Sequence, residues 1–165
     1  MRNLLVPVDL SEISVAVVEQ ANCFGQSLAS NLWLLHVVPA SNHSVPFNLN
    51  RDLWRREVAK GLRDQRRQLH ELAELLRREH NHVFTRLIAG TVNTVILAEA
   101  ERIHAELIIM GSHGHGNVYH ALFGGVGQKV MRKASCPVML VSPDKRKSDW
   151  HLLRQGPGAN HKIHS

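Results

Sequence analysis

Five short apolar runs, separated by segments of helical period, leave this chain few folds to choose from. The runs are Asn3 to Val8, Asn31 to Val38, Val83 to Ala89, Leu107 to Met110 and Pro137 to Ser142. The first is apolar on both faces, as a central parallel strand must be. Pro7 cannot donate to a ladder, which puts it at the C-terminal end of that strand. The intervening segments carry helical spacing. Ile13, Val17, Ala21, Phe24 and Leu28 recur behind Ser11, a residue suited to N-capping. From Asp52 to about His80, Leu62, Leu69, Leu72 and Leu76 trace one stripe and arginines fill the other side. Gly61 inside that stretch costs roughly 1 kcal/mol against alanine and marks a point for a kink or break. Thr91 is placed to cap a helix over Val92 to His104, with Val92, Ile96, Ala100 and Ile103 inward. A last helix spans about Gly125 to Lys133.

Strand–helix alternation of this kind predicts an α/β fold: one doubly wound, five-stranded parallel sheet with helices on both faces. In such sheets a ligand lies beyond the C-terminal strand ends, where the strand order reverses. Asp9, Val37 and Gly111 all fall at predicted C-terminal strand ends and are expected to share one crevice.

The chain has 165 residues, enough for one domain with a real core. Residues 1–143 are expected to form it, with 144–165 a basic C-terminal extension holding five Lys or Arg against two Asp. No apolar run approaches the roughly 18 residues of a membrane span. The N-terminus enters a strand directly, with no signal peptide, which points to the cytoplasm. Cys23 and Cys136 form no metal or redox motif and are expected as buried small hydrophobes. The net charge of +6 lies mostly in the long helix and the tail, the ordinary pattern of a solvated face. No aromatic platform accompanies it, so nucleic acid ranks last among partners.

The stretch from Glu106 to Val141 runs strand, glycine-rich loop, helix start, strand. Free N–H groups and the positive end of a helix dipole converge there and suit an anion. It is not a P-loop, because no Gly-Lys-Ser/Thr occurs. It is not the dinucleotide fingerprint, because the third glycine falls on Tyr119 or Val130. What remains is Gly111, two residues, Gly114, nine residues, Gly124, after Met110 to Gly114 read Met-Gly-Ser-His-Gly. This resembles the adenine-nucleotide loop of the universal stress protein family, whose pattern is Gly-x2-Gly-x9-Gly-Ser/Thr.

The resemblance implies strand order 3-2-1-4-5, which the residues alone do not give. It also implies a nucleotide site. Asp9, in Pro7-Val8-Asp9, would accept from the adenine amino group or a ribose hydroxyl, and the backbone of Val37 would read the adenine edge. Met110, Gly111, His113 and Gly114 would wrap the ribose and phosphates. Gly124, Gly125 and Val126 would present N–H groups to phosphate oxygens. The ligand would be ATP or AMP, with Mg riding on the phosphates rather than on protein ligands. No His/Cys/Asp cluster has zinc spacing. A homodimer through the last strand, Pro137 to Ser142, is implied as well, since an apolar edge needs a cover.

The chain departs from the family where Gly125 and Gly127 replace hydroxyl residues. A hydrogen bond to a charged group is worth about 1.5–3 kcal/mol, so triphosphate binding should weaken roughly 10-fold. The first functional reading is a dimeric adenine-nucleotide sensor in the stress response. The alternatives are a member that works only through protein partners, and a slow ATP hydrolase. Efficient hydrolysis is disfavoured because the loop holds no Lys or Arg, and Lys129 lies a turn into the helix.

Overall fold

The computed structural model describes residues 2–39, 51–78, 82–112 and 125–142. Within them the chain alternates β1 (Asn3–Pro7), α1 (Ile13–Leu28), β2 (Asn31–Pro39), α2 (Arg51–Arg77), β3 (Val83–Gly90), α3 (Val92–Arg102), β4 (Leu107–Gly111), α4 (Gly125–Lys133) and β5 (Val138–Val141). The strands form one five-stranded sheet in the order β3-β2-β1-β4-β5. All four pairings are parallel. Both the architecture and the order agree with expectation.

Burial explains the order. Leu4, Leu5 and Val6 of β1 are at most 1% exposed, so this strand must lie inside the sheet with both faces covered. Leu4 and Val6 pack with Val17, Val18 and Ala21 of α1 and with Leu69, Ala73 and Leu76 of α2. Leu5 faces the other way, with Ile96 and Ala100 of α3 and Val130 of α4. Truncating Leu4 or Leu5 to alanine is expected to cost about 2–5 kcal/mol. β3, at one edge, alternates in burial and exposes Phe84, which stacks on Trp33 at 4.3 Å. Arg102 lies over the same Trp33 ring and pairs with the buried Glu99, which also meets Arg86. This network fastens α3 to the edge of the sheet.

Three local expectations are corrected, and one, the Thr91 cap, is met in position only. Ser11 does not cap α1; Glu12 holds that position and makes no side-chain cap bond, because the Ser11 hydroxyl is drawn to Asp9 instead. Thr91 does occupy the N-cap of α3, but its hydroxyl makes no cap bond. Gly61 produces no break: α2 is one helix, its C-terminal half held by the buried Leu69, Ala73 and Leu76. The cysteines are not both buried. Cys23 is exposed, two residues from Ala21 and so on the far side of α1, and Cys136 is half-buried, where burial pushes its thiol pKa up. Residues 144–165, expected as a basic extension, lie outside the described residues.

Candidate functional site

The sheet opens where its order reverses. β1 pairs with β2 over five residues, and β4 pairs with β5 over four, up to Gly111 against Val141. Between β1 and β4 the pairing covers only Leu4–Leu107 and Leu5–Ile108. Beyond those rungs no further β1–β4 pairing is made, and this switch point is where a ligand cleft is expected. Pro7 contributes to this opening. Val8 N–H donates to the Leu35 carbonyl, and Asn31 N–H to the Arg2 carbonyl, so even-numbered residues of this strand address β2. Pro7 therefore turns toward β4, the side on which it has no N–H to give.

The first wall of the cleft is the turn after β1. Val8 is buried, and its N–H and C=O are both engaged, with Leu35 and with His36. Asp9 Oδ1 accepts from the Ser11 N–H at 3.0 Å, from the Ser11 hydroxyl, and from the Ser14 hydroxyl at 3.1 Å. Ser14 is itself only 1% exposed. The carboxylate thus ties the turn to the first turn of α1, where the helix dipole favours a negative charge. Between Asp9 and Ser11, Leu10 has φ of 62°, a left-handed conformation that costs a side-chain-bearing residue about 1–2 kcal/mol. Strain of this kind persists where surrounding bonds over-determine it, and the Asp9 network does so here. Val37 lies just past the end of β1, with its side chain in the core under α3.

The second wall is the end of β4. Met110 is buried, Gly111 is the last strand residue, and Ser112 N–H continues the ladder to the Val141 carbonyl at 2.8 Å. The Ser112 and Ser142 hydroxyls meet at 3.3 Å. α4 runs back between the parallel strands β4 and β5, so its N-terminus stands at the same edge of the sheet. Gly125 is exposed there, Val126 packs in the core, and Gly127 is buried. A Cβ at Gly125 would meet nothing within 4 Å, and one at Gly127 would meet only Leu140 at 3.9 Å. Neither glycine is demanded by packing.

The structure therefore brings Pro7, Val8, Asp9, Val37, Met110, Gly111, Gly125 and Val126 to one edge of the sheet. His113, Gly114 and Gly124 lie outside the described residues. The sequence reading missed Ser14 and His36, which anchor the Asp9 turn. The signal for His36 was present: it is the one polar residue inside the otherwise apolar Leu32 to Val38. Lys129 is exposed on α4. Among the described residues no group of three or more His, Cys, Asp or Glu is placed to hold a metal ion, and no helix is long and apolar enough to cross a membrane.

A doubly wound parallel sheet of order β3-β2-β1-β4-β5 defines the class: an α/β fold of the kind whose ligands lie beyond the C-terminal strand ends. Within that class, the sequence profile of the Universal stress protein family matches residues 1–142, and the chain belongs to that family. A universal stress protein of Methanocaldococcus jannaschii is 24% identical over 159 residues, covering 89% of this chain and 96% of its own. Its solved structure superposes with a TM-score of 0.75 at 24% identity, over 87% of this chain and 96% of that one. A universal stress protein A homolog of Coxiella burnetii is 26% identical over 146 residues, 85% of this chain and 95% of its own. Two further solved family structures share the fold at 17% identity. One, in complex with cAMP, has a TM-score of 0.64 and covers 86% of this chain and 96% of its own. The other, from Archaeoglobus fulgidus in complex with dAMP, has a TM-score of 0.62 and covers 85% and 97%.

Proposed function

We propose that this protein binds an adenine nucleotide, ATP, ADP or AMP, in the cleft between β1 and β4 and acts as a sensor or regulator in the stress response. The observation that carries the reading is the early end of β1–β4 pairing, with an acidic, strained turn after β1 and a glycine-started helix after β4. In this reading Asp9 accepts from the ribose or the adenine amino group, and the backbone at Val37 meets the adenine edge. Gly111, His113 and Gly114 follow the ribose and phosphates. The N–H groups of Gly124, Gly125 and Val126 hold phosphate oxygens, and Mg rides on the phosphates. Two family structures solved with adenine nucleotides support the choice of ligand. The protein works in the cytoplasm as a homodimer joined through β5, an apolar edge strand whose Val138, Met139 and Leu140 are only half-buried.

Isothermal titration with AMP and ATP tests the reading. Saturable binding near one nucleotide per chain is expected, with little preference for the triphosphate because Gly125 and Gly127 bring no hydroxyl. A flat titration with both would leave the second reading, a family member acting through dimerisation and protein partners alone, which the two bare glycines favour. Hydrolysis is expected to be slow at most, since Lys129 is exposed and no other cation stands on the described part of α4's first turns.

A further inference from the structure

His36 sits in β2 between Leu35 and Val37, is 6% exposed, and lies on the sheet face that α1 and α2 cover. Its Nδ1 is 2.9 Å from the Val8 carbonyl oxygen. A carbonyl only accepts, so Nδ1 carries the proton, and in the neutral ring Nε2 is an acceptor. Nε2 is buried and meets no partner. The ring is thus committed to one bond, and that bond falls on the last backbone group before Asp9.

The target of this bond has a consequence for β2. Asn31 N–H donates to Arg2, and Val8 N–H donates to Leu35, so odd-numbered residues of β2 address β1. The next rung of a parallel ladder would be Val37 N–H to the Val8 carbonyl. Among the described residues that rung is not made. His36 holds the carbonyl instead. The N–H and C=O of Val37 then face the side on which β1 has ended, at the mouth of the cleft. A donor and an acceptor side by side match the Watson–Crick edge of adenine, where the N1 acceptor adjoins the N6 amino donor.

We propose that His36 is a positioning residue: by capturing the Val8 carbonyl it ends the β1–β2 ladder one rung early and keeps the Val37 backbone free to read a purine edge. The inference rests on the nucleotide reading of the cleft for its ligand, but its structural half stands without one. Loss of the imidazole lets Val37 N–H close the ladder onto Val8, which removes the reader without touching the ligand.

Amide hydrogen exchange by NMR and AMP titration test it together on the full chain. In the free wild-type protein, Val37 N–H should exchange at least about tenfold faster than its ladder-bonded neighbour Leu35, and AMP should slow it. In His36→Leu, Val37 should become protected without nucleotide, and AMP affinity should fall about tenfold. His36→Asn places an amide donor at the Nδ1 position and should restore both. Wild-type Val37 as protected as Leu35, or His36→Leu binding AMP like wild type, would overturn the proposal. If His36→Leu does not fold, the wild-type exchange and His36→Asn still decide it. Wild type that binds no AMP at all would sink the nucleotide reading, while the exchange pattern would still judge the role of His36.

Discussion

The two walls of the cleft are built by opposite means. The wall formed by the ends of β1 and β2 is a network of side chains. Asp9 takes three donors from Ser11 and Ser14, His36 takes the Val8 carbonyl, and Leu10 is held in a left-handed conformation between them. The wall formed by β4 and α4 offers bare backbone, with Gly111 and Gly125 and open space beside Gly125. A wall of fixed side chains selects by geometry, because its donors and acceptors are already paid for in folding energy. A wall of backbone N–H groups attracts any anion and distinguishes poorly among phosphates. Under the proposed nucleotide binding, the base end would set what binds and the phosphate end would set little.

Breaking the first wall should have the largest effect. Asp9→Ala removes an acceptor for the ligand and releases Ser11 and Ser14 together. AMP affinity by titration is expected to drop about 10- to 100-fold, and urea denaturation should show a loss of about 1–3 kcal/mol. Adding a side chain to the second wall should sharpen the contrast. Gly125→Ser has room for its Cβ, and its hydroxyl should raise the ATP-to-AMP affinity ratio about tenfold. Unchanged relative affinities for ATP, ADP and AMP would show that the missing hydroxyl does not matter here. Gly127→Ala is smaller still. The added methyl makes an ordinary 3.9 Å contact with Leu140 inside a helix, so stability should rise by about 0.5–1 kcal/mol in denaturant melts, with AMP affinity unchanged. The smallest effect is expected below the cleft. Burial raises the Cys136 thiol pKa and limits access to it, so it should react more slowly with a disulfide reagent than the exposed Cys23, with or without AMP.

The elements of the fold were legible because their signals are local. Apolar runs such as Leu4 to Val6 and helical stripes such as Val17 and Ala21 announce strand and helix whatever surrounds them. The strand order was not local. It depends on which runs pair across the sheet, and it came from the likeness of the Met110 to Gly114 loop to a known family. Side-chain hydrogen bonds were the least legible. Ser11 looks like a cap from its position before Ile13, but the nearby Asp9 carboxylate competes for its hydroxyl, and nothing in the spacing says which bond wins. Gly61 illustrates the converse: its local penalty of about 1 kcal/mol is outweighed by the packing of Leu69, Ala73 and Leu76 further along the same helix. On the candidate site, strand ends located Asp9, Val37 and Gly111. His36 escaped notice because its role depends on a rung of the ladder that is left unmade.

A crystal structure of the protein grown with AMP tests the account most directly. The expected result is an adenine edge against the N–H and C=O of Val37, Asp9 within hydrogen-bond reach of the ribose or the amino group, and the phosphate at the N-terminus of α4. AMP bound elsewhere, or a cleft without nucleotide at saturating AMP while Asp9 serves only Ser11 and Ser14, would contradict it.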